Sequence, residues 1–176
     1  MKFVETSLPG VMVVEPTVFG DARGFFFEVH HAEKYAAAGI DRAFVQSNHS
    51  RSSKGTLRGL HIQVEHAQGK LVRVIRGTIW DVAVDVRKGS SHFGRSVAVE
   101  LSEENQKLLW VPEGFAHGFV VTSESADVLY SCTDLYHPEH ERVLAWNDPE
   151  LGIPWPVKDP MLSARDTKGS PLSSFR

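Results

Sequence analysis

Ile79-Trp80-Asp81-Val82-Ala83-Val84-Asp85-Val86 alternates with a period of two. Val82, Val84 and Val86 point one way and Asp81, Ala83 and Asp85 the other, which is the pattern of a strand. Gly77-Thr78 just before it suits a tight turn. Working outward, short runs rich in Val, Ile, Phe and Leu recur between turn signals: 11–15, 25–29, 43–47, 70–76, 97–101, 108–112, 119–122 and 128–133. Many short strands without βαβ alternation predict an all-β sandwich or jelly roll in place of a doubly wound fold.

Two stretches interrupt the strands. Ala32 to Ala38 is rich in helix formers and stops at Gly39, so it predicts about two helical turns. Ser102-Glu103-Glu104 offers an N-cap followed by acids and predicts at most one or two turns. After Pro138 the chain meets Pro149, Pro154, Pro156 and Pro160, which predicts a wrapped, irregular C-terminal segment. With 176 residues, no internal repeat and no linker, the chain is expected to form a single domain over 1–176. Its 41% hydrophobic and 23% charged residues belong to an ordinary globular chain.

Charge and cysteine usage narrow the function. Lys and Arg number 19 against 22 Asp and Glu, a net charge of −3, which supplies no overall attraction for nucleic acid or an anionic membrane. No apolar stretch approaches the roughly 18 residues of a membrane helix. One cysteine, Cys132, and an opening MKFVETSLPG without a basic stretch followed by an apolar run give the expectation of a cytoplasmic protein. The chain contains no P-loop, G-x-G-x-x-G, CxxC or H-E-x-x-H. Asn48-His49-Ser50 matches a glycosylation sequon but reads as a polar strand end.

Nine histidines raise the question of a metal. Pro112 followed by Gly114-Phe115-Ala116-His117-Gly118 resembles the second motif of the cupin superfamily, P-x-G-x-x-H. At the positions where metal-binding cupins carry H-x-H, a Glu and a Gly, this chain has His61, Gln63, Lys70 and Gly77. An ammonium in place of a carboxylate ligand repels a divalent cation, so no metal is expected. His30, His31, His49, His66, His92, His137 and His140 lie in polar or turn contexts without ligand spacing and are read as surface or supporting groups. An imidazole with a pKa near 6.5 can instead take a proton from a carbon acid, provided a cation such as Lys70 meets the enolate oxygen. A tyrosine that returns the proton from another face and an Asp that orients the imidazole would complete an epimerising site beside a ketone.

Leu57-Arg58-Gly59-Leu60-His61, Lys70-Leu71-Val72-Arg73-Val74, Asp81-Val82-Ala83-Val84-Asp85, Trp110 to Phe119 and Leu162-Ser163-Ala164-Arg165-Asp166 together resemble the dTDP-4-dehydrorhamnose 3,5-epimerase family. The resemblance covers nearly the whole chain in the right order. It implies a cupin-type jelly roll, or double-stranded β-helix, with short peripheral helices and no cofactor. It implies inversion at carbons 3 and 5 of a dTDP-linked 4-keto-6-deoxy sugar. By matching positions, His61 becomes the general base, Asp166 its orienting partner, Tyr130 the acid and Lys70 the enolate stabiliser. Gln46, Asn48, Arg58 and His117 fall where the family contacts sugar or diphosphate, with Tyr136 a further pocket residue. Phe19, Arg23, Phe26 and Glu28 match its nucleotide-binding region, which in the family reaches the neighbouring subunit of a homodimer.

Each residue taken singly has a plainer reading. Arg23 and Glu28 suit an exposed charge pair, Phe25 to Phe27 strand core, the tyrosines amphipathic packing, and Asp166 or His117 a turn. Strand parity puts Arg58 and His61 on opposite faces, so sharing a pocket requires an irregularity, expected at Gly59. The chain departs from the family at Ile62, Leu135 and Arg95-Ser96, where aromatics or a Lys-Trp pair are usual, and is one residue shorter within 63–68. The alternatives to a 3,5-epimerase are a single-carbon epimerase of a related deoxysugar nucleotide and a non-catalytic sugar-nucleotide-binding cupin.

Overall fold

The computed structural model describes residues 1–176. In chain order the strands are β1 (Lys2–Glu5), β2 (Met12–Glu15), β3 (Phe19–Asp21) and β4 (Gly24–Phe26), followed by helix α1 (Ala32–Ala37). Then come β5 (Gln46–Ser53), β6 (Leu57–Gln63), β7 (Lys70–Arg76), β8 (Thr78–Asp85), β9 (Ser96–Ser102), β10 (Leu108–Val111), β11 (Phe115–Val121), β12 (Ser125–Cys132) and β13 (Glu141–Val143). One sheet has the order β1-β2-β10-β7-β12-β5 and the other β13-β6-β11-β8-β9, and β3 pairs only with β4. All these pairings are antiparallel, as in the jelly roll the sequence predicts.

The apolar side chains form three layers. Between the sheets, Val72, Val74, Leu109, Val111 and Val128 meet Ile79, Ala83, Leu101, Phe115, Phe119 and Val121. Outside the five-stranded sheet, Leu60, Val82, Val84 and Val86 are covered by Leu144, Leu151, Leu172 and Phe175 of the C-terminal segment. Outside the other sheet, Val14, Leu71, Leu108 and Trp110 pack with Tyr35 of α1 and with Ile40. Full burial of such aliphatic side chains stabilises by roughly 1.5–3 kcal/mol each. The valines of β8 therefore face the tail, while Asp81 and Asp85, both fully buried, face the other way. Asp85 is held by Arg87 and by Ser90 at 2.7 Å.

Several elements differ from expectation for local reasons. β5 runs over Gln46–Ser53 in place of 43–47, and its eight largely polar residues are recruited by pairing with β12. The run at 25–29 is strand only to Phe26. By contrast α1 ends as expected, with Ala38 as its C-cap and Gly39 at φ +86. No helix starts at Ser102. Its side chain accepts from Asn105 N–H while its own N–H donates to Asn105 Oδ1, closing a tight turn instead. His117 lies in the middle of β11, where all seven residues are buried, and not in a turn.

Candidate active site

A cavity of about 300 Å³ opens between the two sheets. β6 contributes His61 and Arg58, and β11 places His117 directly across from His61. From the opposite sheet, β7 brings Lys70, β12 brings Tyr130, and Gln46, Asn48 and Ser50 of β5 line the wall at alternate positions. Arg58 and His61 share the cavity because the ladder is irregular where expected. Four residues of β6, Arg58 to His61, lie opposite three of β11, Phe119 to His117. Gly59 sits at φ +127, and a Cβ there would lie 2.6 Å from Gly118 Cα, so only glycine permits this approach.

His61 is held from outside the sheets. Its Nε2 lies 2.6 Å from Asp166 Oδ1, and Asp166 is almost fully buried at the start of a 3-10 turn. The Asp166 N–H donates to Ser163 Oγ at 3.1 Å, which fixes the carboxylate's backbone. Burial alone would raise the Asp166 pKa. Hydrogen bonding and charge from His61, with Ser163 and Arg165, outweigh it and hold the carboxyl below its ordinary value. With Nε2 engaged by the carboxylate, Nδ1 keeps a lone pair for a substrate.

A second imidazole–carboxylate pair stands beside the first, with His117 Nε2 2.7 Å from the wholly buried Asp81 Oδ1. Lys70 is half-buried, and desolvation pushes its ammonium below the usual lysine value against the pull of Cys132, Glu141 and Asp81. Burial raises the Tyr130 phenol, so it stays protonated throughout the neutral range. Gln46 donates to Asn48 Oδ1 at 3.1 Å and accepts from the Tyr136 N–H at 2.9 Å, which ties the Tyr136 loop to β5. Arg58 Nε donates to Ser52 Oγ at 2.9 Å.

Five lining residues escaped the sequence reading: Ser50, Gln68, Phe119, Glu141 and Arg165. Glu141, on β13, accepts from the Tyr136 hydroxyl at 3.0 Å and pairs with Arg165. Arg165 also brings Nη2 to 3.4 Å from His61 Nε2. Arg165 lies inside the Leu162 to Asp166 motif and was one residue from being found, whereas Glu141 lies in a stretch expected to be irregular. Gln68 and Phe119 complete the lining.

Phe19, Arg23, Phe26 and Glu28 do not join this cavity within one chain. Phe19 and Phe26 are 63% and 71% exposed on the β3–β4 hairpin, which forms a separate shallow groove with Arg23. Arg23 pairs with Asp21 and Glu28 with Lys34, so the expected Arg23–Glu28 pair does not form. Phe25 is exposed as well, and only Phe27 is buried. The departures at Ile62, Leu135 and Arg95-Ser96 all lie outside the cavity lining, with Ile62 turned into the tail-covered layer.

Residues 5–174 match the profile of the family described as dTDP-4-dehydrorhamnose 3,5-epimerase. A curated relative of that name from Pseudomonas aeruginosa is 54% identical over 171 residues, covering 96% of this chain and 94% of the relative. A crystal structure of dTDP-6-deoxy-D-glucose-3,5-epimerase from Legionella pneumophila, in complex with dTDP-4-keto-L-rhamnose, superposes with a TM-score of 0.95 at 48% identity, covering 98% of this chain and 93% of that one. A 3′-monoepimerase from Streptomyces bikiniensis, in complex with dTDP-quinovose, gives 0.91 at 34% identity, covering 97% and 87%.

Proposed function

Since this chain belongs to the dTDP-4-dehydrorhamnose 3,5-epimerase family, we propose that His61 and Tyr130 carry out its chemistry from opposite sides of a dTDP-linked 4-keto-6-deoxy sugar. The reaction converts dTDP-4-dehydro-6-deoxy-D-glucose to dTDP-4-dehydro-L-rhamnose. Hydrogens on carbons 3 and 5 are acidic because each carbon flanks the C4 ketone, and removal of either leaves an enolate on the C4 oxygen. His61 Nδ1 takes the proton, and Asp166 stabilises the resulting imidazolium through Nε2. Lys70 meets the enolate oxygen as charge builds there, which lowers the barrier without tightening the ground state. Tyr130 returns a proton from the opposite face, which inverts the carbon. Only protons move, so the proposed chemistry calls for neither a redox cofactor nor a metal. His117, oriented by Asp81, and Arg58, Gln46 and Asn48 hold the sugar and diphosphate, with Tyr136 beside them.

The observation that carries this reading is the His61–Asp166 pair at 2.6 Å, lining one cavity with Lys70 and Tyr130. Incubation with the keto sugar nucleotide in deuterated water, followed by NMR, tests it. Deuterium and inversion at both carbons are expected, and uptake at one carbon alone would replace it with a single-carbon epimerase.

The nucleotide end is proposed to be completed by a second copy of the chain. Exposed Phe19 and Phe26, with Arg23, stand on a hairpin that pairs with neither main sheet and offers aromatic faces for a base. In mixed dimers, Phe26→Ala chains combined with His61→Ala chains should recover activity that neither has alone. Full activity of the Phe26→Ala, Phe19→Ala double variant on its own would overturn the shared site.

A further inference from the structure

Two loops that the sequence leaves apart meet at the rim of the barrel: residues 64–69, between β6 and β7, and residues 133–137, after β12. Gln63, 5% exposed, staples them. Its Nε2 donates to the carbonyls of His66 and Leu135, and its Oε1 accepts from the His137 N–H at 2.8 Å. The staple holds His66 at φ +51, a left-handed conformation that a non-glycine residue keeps only when its surroundings fix it. In that position its ring stacks on His137 with centroids 4.4 Å apart, and its Nδ1 lies 3.8 Å from Asp134 Oδ2. One ligand atom from each of His66, Asp134 and His137 lies within 4.8 Å of the other two. His140 adds a third imidazole, its ring 5.5 Å from that of His66.

We infer that His66, Asp134 and His137 form a binding site for a borderline divalent transition metal of the zinc class, distinct from the barrel cavity. Two imidazoles and one carboxylate are a donor set that suits zinc or nickel and leaves at least one position open to water. The charged neighbours of this imidazole cluster are carboxylates: Asp134 at His66, Glu139 at His137 and His140, and Glu65 at His140. That negative charge attracts a cation, and an imidazole nitrogen without a proton offers it a lone pair. Metal–ligand bonds of about 2.0–2.1 Å require ligand atoms roughly 3.3 Å apart in a tetrahedral site. His66 is exposed and Asp134 and His137 are partly so, which leaves their side chains room to close that difference by rotation. None of the three lines the catalytic cavity. A bound ion would instead clamp the 64–69 loop to the 133–137 loop that carries Tyr136, whose backbone is already tied to Gln46.

Equilibrium dialysis of chelator-treated protein against zinc chloride, with magnesium chloride as a parallel, tests the site. One zinc per chain is expected, with no comparable uptake of magnesium. His66→Ala and Asp134→Asn should each weaken zinc at least about tenfold, and His92→Ala should leave it unchanged. Because these side chains are solvent-accessible, the fold is retained, and melting temperatures without metal verify it. Zinc uptake in His66→Ala or Asp134→Asn equal to that of the wild type, or equal affinity for magnesium, would overturn the assignment.

Discussion

At the scale of single residues, the proposed chemistry depends on the charge states of His61, Asp166, Lys70 and Tyr130. Asp166→Asn keeps the size of the partner but removes the charge that stabilises imidazolium. It should slow turnover by about 10²–10⁴-fold with little change in KM, less than the loss on removing His61 itself, as steady-state kinetics on both variants would show. In the proposed reaction Lys70 acts as the ammonium, and its pKa is lowered by desolvation. Activity should therefore fall as pH rises through a value below the roughly 10.4 of a free lysine. A pH–rate profile checks this, and Lys70→Arg should push the alkaline limb upward because a guanidinium does not deprotonate there. Lys70→Ala should lower kcat by about 10²–10³-fold while nucleotide affinity stays nearly intact.

At the scale of elements, the bulge in β6 lets Arg58 and His61 face the same cavity. Gly59→Ala forces a Cβ against Gly118 Cα and His117 O, at 2.6 and 2.9 Å. It should destabilise by at least about 1–3 kcal/mol in denaturant melts. It should also lower activity beyond the fraction unfolded, since the irregularity that brings Arg58 and His61 together would move. Legibility in the sequence followed the same local physics. β7 matches its predicted run residue for residue because Gly69 and Gly77 bracket a stretch in which Leu71-Val72 and Val74-Ile75 alternate with basic residues. β5 was displaced because Gln46 to Ser53 is nearly all polar, and its strand character comes from hydrogen bonding to β12. The Gly59 irregularity was predictable from parity once the resemblance placed Arg58 and His61 in one pocket. Glu141 was not, because its short strand exists only through pairing with β6. The meeting of His66 with His137 depends on how Gln63 folds two loops together, which no spacing in the chain encodes.

At the scale of the molecule, the C-terminal segment has two roles. Leu172 and Phe175 cover the outer face of the five-stranded sheet, and the same segment delivers Asp166 to His61. Phe175→Ala should cost about 3–5 kcal/mol of stability, measured by chemical denaturation. Because Asp166 rides on the segment it anchors, partial loosening of the tail should lower kcat before global unfolding. The departures at Ile62, Leu135 and Arg95-Ser96 lie outside the cavity lining, whereas the shortened segment 63–68 supplies Gln68 to it, so any altered sugar preference is expected to come from that segment. The central claim is that the His61 imidazole removes the carbon-bound proton, and proton exchange reads this step directly. In deuterated water, with dTDP-4-dehydro-6-deoxy-D-glucose, the wild type should wash deuterium into carbons 3 and 5, and His61→Asn should incorporate none at either. Exchange by His61→Asn at the wild-type rate would contradict it.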